Sequence, residues 1–259
     1  VQKYSVGPFR QALTHARYKF TEQIRTPFSI ILGLGMPVAS FIFFVLPQEG
    51  YVSNPKIATY AVVSFSVFGM MTNSLIGFAR DIAMDRLTEW GAYMNSLPGY
   101  AISRVIGYIF SNGAISVLSI IPVLIVGFAA TQIEIDSVRY LPAFLTLIAT
   151  NTIFMLLGTA IGFAFSAASA IAVSQFLMLL LSFSGGLFVP PTNFPAWFNL
   201  ISLFVPTRAV RELNIWASVG GPFPVTQGFM WLVWLVLFTA AAIFAAKWRQ
   251  SHTSFGVYH

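Results

Sequence analysis

The side chains that could perform acid–base, nucleophilic or metal chemistry are sparse in this chain, and their placement excludes more than it offers. Its three histidines are His15, His252 and His259, near the two ends, and it contains no cysteine. That rules out a disulfide, a thiolate nucleophile and a cysteine-based metal site. From Tyr140 to Thr207 there is no Asp, Glu, Lys, Arg or His. The sequence therefore offers no buried carboxylate pair, histidine cluster or Ser–His pairing of the kind that acid–base or metal catalysis requires. A P-loop needs a glycine-rich turn running into Lys and then Ser or Thr, so that backbone amides and one ammonium hold the phosphates. The four lysines are Lys3, Lys19, Lys56 and Lys247, and none follows a glycine. This chain is not expected to be an enzyme or to bind ATP itself.

The elements that would carry such residues are apolar. Of 259 residues, 57% are hydrophobic, 16% aromatic and 8% charged, against roughly 25% charged in soluble proteins. This composition indicates an all-α integral membrane protein. Six apolar runs, at 27–46, 57–79, 105–128, 140–166, 171–188 and 227–246, are each long enough to cross about 30 Å of hydrocarbon. They lack the alternation of a barrel strand and are expected to be helices. Ionisable residues inside a membrane usually mark a proton relay, an ion site or a voltage sensor. All six runs lack them, which argues against proton coupling and leaves a backbone-built sodium site open. The net charge of +6 points to topology rather than to nucleic acid. With the N-terminus inside, ten Lys and Arg fall on inner segments and four on outer ones, so both termini are expected in the cytoplasm. There is no apolar leader beside a cleavage site, no second domain and no repeat, so residues 1–259 read as one transmembrane domain.

Three stretches break the pattern. Within 1–26, Phe9, Leu13, Ala16, Phe20 and Ile24 recur at helical spacing with Arg10, Arg17, Glu22 and Arg25 largely off that face, as in an interfacial helix. Residues 80–104 form a polar loop between the second and third runs. There Leu87, Trp90, Met94 and Leu97 share one helical face before Pro98 and Gly99 end it. Such a face either docks on a partner or packs against its own spans. At Ser184 to Trp197 the chain reads SGGLFVPPTNFPAW. Gly185 and Gly186 permit a sharp bend, and Pro190 and Pro191 cannot continue a helix. The chain nevertheless stays apolar to Pro206. A single straight span there would put Pro206 deep in the membrane, so 189–212 is expected to be an external re-entrant pair of short helices packed on protein. The other reading is a plain external loop.

At these residues the chain resembles the permeases of type-2 ABC exporters, with the daunorubicin-exporter-like branch the nearest. The resemblance covers nearly the whole chain. It rests on the amphipathic start, on Asp85-Arg86 followed by Leu97-Pro98 and Arg104, on Gly-Leu-Phe-Val-Pro followed by Phe-Pro-Ala-Trp, and on six runs with both ends inside. The chain departs from a common Gly-Thr-Leu-Glu coupling sequence, having Leu87-Thr88-Glu89-Trp90-Gly91. The resemblance implies two permease subunits, identical or related, above two separate ATPase subunits that hold ATP and Mg. It also implies a drug, antibiotic, lipid or glycolipid exported across a bacterial cytoplasmic (inner) membrane. Asp85, Arg86, Leu87, Glu89, Trp90, Met94 and Pro98 would couple to the ATPase. Gly185, Gly186, Pro190, Pro191, Phe194, Pro195, Trp197 and Pro206 would form the re-entrant gate. The competing expectation is a stand-alone channel, scaffold or secondary transporter in membrane lipid, with no ATPase partner and no nucleic acid.

Overall fold

A computed structural model describes residues 8–26, 31–87 and 101–253. Every regular element among them is helical. Helix α1 (Pro8–Arg25) precedes a π-helical turn (Ile31–Gly35), a short α2 (Met36–Phe44) and a one-turn α3 (Glu49–Ser53). Helix α4 (Pro55–Leu87) is the longest, at 33 residues. Then come α5 (Ala101–Leu118), α6 (Ile120–Ala130), α7 (Tyr140–Ala164), α8 (Ala167–Ser184), α9 (Ala196–Ser202), α10 (Pro206–Val219) and α11 (Val225–Thr253).

Among the described residues, five stretches are long and apolar enough to cross a membrane: Pro55–Asp85, Ile106–Ala130, Ser137–Ala164, Ala167–Ser184 and Val225–Trp248. The expected first run appears as a shorter apolar helix, Gly33–Phe44. The sequence-based ends shift where proline and cap chemistry intervene. Ser166 caps α8, its side chain accepting from Ser169 N, so this helix starts before residue 171 and ends at Ser184. Pro122 has no N–H for the Leu118 carbonyl, and α5 gives way to α6 at Ser119.

The expectation that residues 80–87 belong to a loop is corrected: they continue α4. The expectation of apolar spans without ionisable groups changes with it, because Asp81 is buried in the bundle. The remainder of the 80–104 stretch up to residue 100, with Glu89, Trp90, Met94 and Pro98, lies outside the described residues. Of Arg86 and Leu87 only the backbone, at the end of α4, is described.

Helix α4 is the axis of the molecule. Its apolar stretch is 83% buried, against 22% for α8 and 11% for α11. It packs most extensively on α7. Gly158 and Gly162, one helical turn apart, let the backbones touch: a Cβ at Gly158 would lie 2.7 Å from Leu75 O, and one at Gly162 2.8 Å from Ile82 Cβ. Small residues at this spacing are the usual means of close helix contact in lipid. Hydroxyl and carboxamide groups then bind the helices: Asn151 Nδ2 donates to Ser74 Oγ at 2.6 Å, and Ser74 and Ser116 hydroxyls lie 2.8 Å apart.

The stripe expected on α1 is divided by its neighbours. Ala12, Ala16 and Gln23 are buried, while Phe9, Leu13 and Ile24 are exposed. The small residues face α5, where a Cβ at Gly107 would lie 2.7 Å from His15 Cβ. The large apolar side chains remain outside, as an interfacial helix requires.

Candidate functional site

Helix α4 orders three regions along its length. Near its Leu87 end, Asp81 sits among side chains from α1 and α5. Gln23 Nε2 donates to Asp81 Oδ2 at 3.0 Å and to Asn112 Oδ1 at 2.7 Å. Asn112 Nδ2 reaches the same carboxylate oxygen at 3.2 Å, and Ser111 Oγ donates to Gln23 Oε1 at 3.1 Å. Arg80 Nε donates to Asp81 Oδ1 at 3.1 Å. A buried carboxylate is tolerable when paired and fully hydrogen-bonded, and this one satisfies both conditions. One turn on, the coupling candidate Asp85 lies 3.7 Å from Lys19 Nζ, which is also 3.2 Å from Glu22. Burial alone would lower the Lys19 pKa, but Asp81, Asp85 and Glu22 together hold it above the usual lysine range. Asp85 therefore binds α1 to α4.

Next along α4 is a cavity of about 490 Å³ between α1, the π-helical turn, α4, α5 and α8. Ile24, Leu34, Ile76, Ile115, Leu118 and Ile171 supply most of its wall. Gln23, Asn73, Asn112 and Gln175 place carboxamides in it, with Arg80 at the Asp81 side. Its size suits a drug-sized ligand, and apolar walls with a few polar groups are the usual composition of such sites. Asn73 also repairs the backbone. Pro37 cannot bond to the Gly33 carbonyl four residues earlier, and an unpaired carbonyl is costly in a membrane. Asn73 Nδ2 donates to Gly33 O at 2.9 Å in its place. A Cβ at Gly33 would collide with Asn73 Oδ1. The bent first apolar helix is thus clasped to the cavity wall.

Beyond the cavity the bundle closes with aromatic rings. Phe188 contacts Phe44, Phe65, Phe68 and Phe183, with ring centroids 5.0, 5.7, 4.7 and 4.9 Å away. The break after α8 puts Phe188 there. Gly185 ends α8, and its missing side chain makes room for Thr207, whose hydroxyl donates to Leu181 O at 2.5 Å. Gly186 has φ +81°, and a Cβ there would meet the Pro191 ring. Pro190 leads into the 3₁₀ turn Pro191–Asn193, Pro195 precedes α9, and Pro206 opens α10. Gly185, Gly186, Pro191 and Pro206 are therefore brought together. Phe194 instead stacks edge-on with Phe198 at 4.8 Å, and Trp197 is exposed.

Residues 189–212 are accordingly two short helices and a 3₁₀ turn. α10 packs on α7, α11 and α4. Within it Arg211 is buried, donating to Ser64 Oγ at 2.9 Å and to Glu212 Oε1 at 2.7 Å. Burial raises the Tyr51 phenol in α3 above its usual range, although the charge of Arg211 opposes this.

Sequence reasoning overlooked Asn73, Phe188, the Gly158/Gly162 pair and buried Arg211. Two signals were present: a proline inside an apolar run frees a carbonyl that some side chain must satisfy, and Gly-x-x-x-Gly in a span marks close helix contact. Among the described residues no group of three or more His, Cys, Asp or Glu could hold a metal ion.

The sequence pattern of the ABC-2 type transporter family matches residues 10–217. A Bacillus subtilis (strain 168) protein named “Putative transport permease YvfS” is 24% identical over 244 residues, covering 92% of this chain and 93% of that protein. A match running from α1 to α10, over a multi-pass helical bundle whose helices are long enough to cross a membrane, decides the matter: the chain belongs to the ABC-2 type transporter family and is a membrane permease subunit of that family.

Proposed function

We propose that this chain is the permease of an ATP-driven exporter and that the cavity beside α4 receives a hydrophobic or amphipathic cargo from the cytoplasm or the inner leaflet. The observation that carries the reading is the cavity itself: apolar walls, carboxamides within, and a position on the half of α4 nearer Asp81. An apolar drug, antibiotic, lipid or glycolipid body fits such walls, and the Gln175 carboxamide, which the Asp81 cluster does not use, offers hydrogen bonds to a polar head.

In this reading the short apolar helix before α3 is a sixth span, both termini are cytoplasmic, and the membrane is a bacterial inner membrane. α9 and α10 dip in from the outer surface as a re-entrant pair. With no lysine following a glycine, ATP and Mg belong in this reading to a partner ATPase. That ATPase meets the end of α4 and the stretch after it, through Asp85, Arg86, Leu87, Glu89, Trp90, Met94 and Pro98. The weakly buried α8 and α11 leave room for membrane lipid and for a second permease subunit.

Affinity purification from the native membrane in mild detergent, with mass spectrometry, tests the division of labour. A stoichiometric P-loop ATPase is expected to accompany the chain. A chain that stays alone after crosslinking in intact membranes would favour the channel, scaffold or secondary-transporter reading. Ile76→Trp, which fills the cavity, is expected to reduce cargo-stimulated ATP hydrolysis by the complex while leaving its assembly intact.

A further inference from the structure

At the start of α10 two guanidinium groups share one carboxylate. Arg211, 6% exposed, spends Nε on Ser64 Oγ and Nη1 on Glu212 Oε1. Arg208 Nε lies 3.1 Å from that same oxygen. It is not aligned to donate, and Arg208 Nε and Nη1 are both shielded from solvent without a hydrogen-bond partner. Tyr51 and Tyr60 stand near Arg211, and burial holds the Tyr51 phenol in its protonated form. Glu49, on the same short helix as Tyr51, is exposed. The cluster, with Arg211 buried and Arg208 and Glu212 partly so, therefore carries one positive charge more than it balances. Arg208 adds to this by lying in the first turn of a 14-residue helix, where the backbone dipole is itself positive.

Arginine does not escape such a position by losing its proton. A buried donor left unpaired costs the desolvation of that group, and an unpaired buried charge costs more. An anion with several acceptor oxygens would remove both penalties, and the planar guanidinium is shaped for one. We propose that Arg208 and Arg211 at the start of α10 form an oxyanion-binding site for a phosphate, sulfate or carboxylate group, with Glu212 keeping the two guanidinium groups apart. The oxyanion belongs either to an anionic lipid headgroup or to a soluble or cargo-borne acid. The site does not depend on what the cavity holds: along α4 it is placed at Ser64, whereas the cavity begins at Thr72.

The test uses the full chain in phosphatidylcholine nanodiscs. One arm titrates sodium phosphate at constant ionic strength set with chloride, and the other adds phosphatidylglycerol to the lipid. Thermal unfolding and tryptophan fluorescence report binding. Saturable stabilisation by phosphate assigns a soluble or cargo-borne oxyanion, and stabilisation by phosphatidylglycerol alone assigns a headgroup. Either sustains the site, provided Arg208→Gln weakens the response about tenfold or more, the effect of losing one charged hydrogen bond. Lys56→Gln, which removes an exposed cation on α4, is expected to leave it unchanged. Arg208→Lys keeps the charge without the fork and carries the comparison if Arg208→Gln does not assemble. No response in either arm, or one as strong in the Arg208 variants as in the unaltered chain, overturns the proposal.

Discussion

The two ends of α4 solve the problem of a buried charge differently. At Asp81 one carboxylate receives hydrogen bonds from Gln23, Asn112 and Arg80. At Ser64 two guanidinium groups divide a single carboxylate, and one keeps buried donors unpaired. The first arrangement is complete within the chain and binds α1, α4 and α5 into one body. The second is incomplete within the chain. Between them lie the cavity and the Phe188 cluster, so the finished polar site and the unfinished one are separated by an apolar chamber and its aromatic stopper. Saturation indicates structure, whereas a shortfall of acceptors indicates a ligand.

Substitutions can break this contrast, and the largest effect is expected where saturation is greatest. Asp81→Ala should cost about 3–5 kcal/mol, since it removes the buried acceptor that Gln23, Asn112 and Arg80 share. Chemical denaturation in detergent micelles would measure it. Phe188→Ala should cost a similar amount or somewhat less, in the roughly 3–5 kcal/mol range of a lost core phenyl ring. It should also open the cavity toward the break, read as faster labelling of a cysteine introduced at Ile76. Asn73→Leu leaves the Gly33 carbonyl without its donor, at about 1–3 kcal/mol, and should weaken cargo binding more than it lowers the melting temperature. Gly220→Ala forces a side chain into φ +88° against the Arg139 guanidinium, with an expected cost of about 1–3 kcal/mol.

The smallest effect concerns pH. The folded pKa of Lys19 is raised, so its contribution to stability is fully present below the unfolded value of about 10.4 and is lost as pH rises through the folded value. Docking of α1, followed by protease access to Arg25, should therefore be flat across neutral pH and weaken only in strong alkali.

Much of this architecture was legible from apolar run length alone, because hydrocarbon thickness admits few alternatives for the runs containing Phe154 or Trp231. The break after Ser184 was equally legible, since glycine and proline act locally. Asp81 was not. It follows Ala79 and Arg80 in a stretch whose charges suggest a loop, and the carboxamides of Gln23 and Asn112, 58 and 31 residues away, join Arg80 in making its burial on a helix tolerable. Phe188 looked like part of the broken segment, but the bend at Gly186 returns its ring to the core. Arg208 and Arg211 looked like ordinary outer-loop cations. Their burial depends on α7, α11 and α4 closing over α10, which no local pattern specifies.

Helix α4 has one further consequence. At 33 residues and 1.5 Å per residue it is about 50 Å long, well beyond the roughly 30 Å of the hydrocarbon layer. It has no internal proline, and its Pro55 sits at the first position, so no proline kink interrupts it. It is a pushrod. A tilt or axial slip at Leu87 would travel along one continuous helix past Asp81, the Asn73 clasp, the Phe68 contact with Phe188 and the Ser64 seat of Arg211.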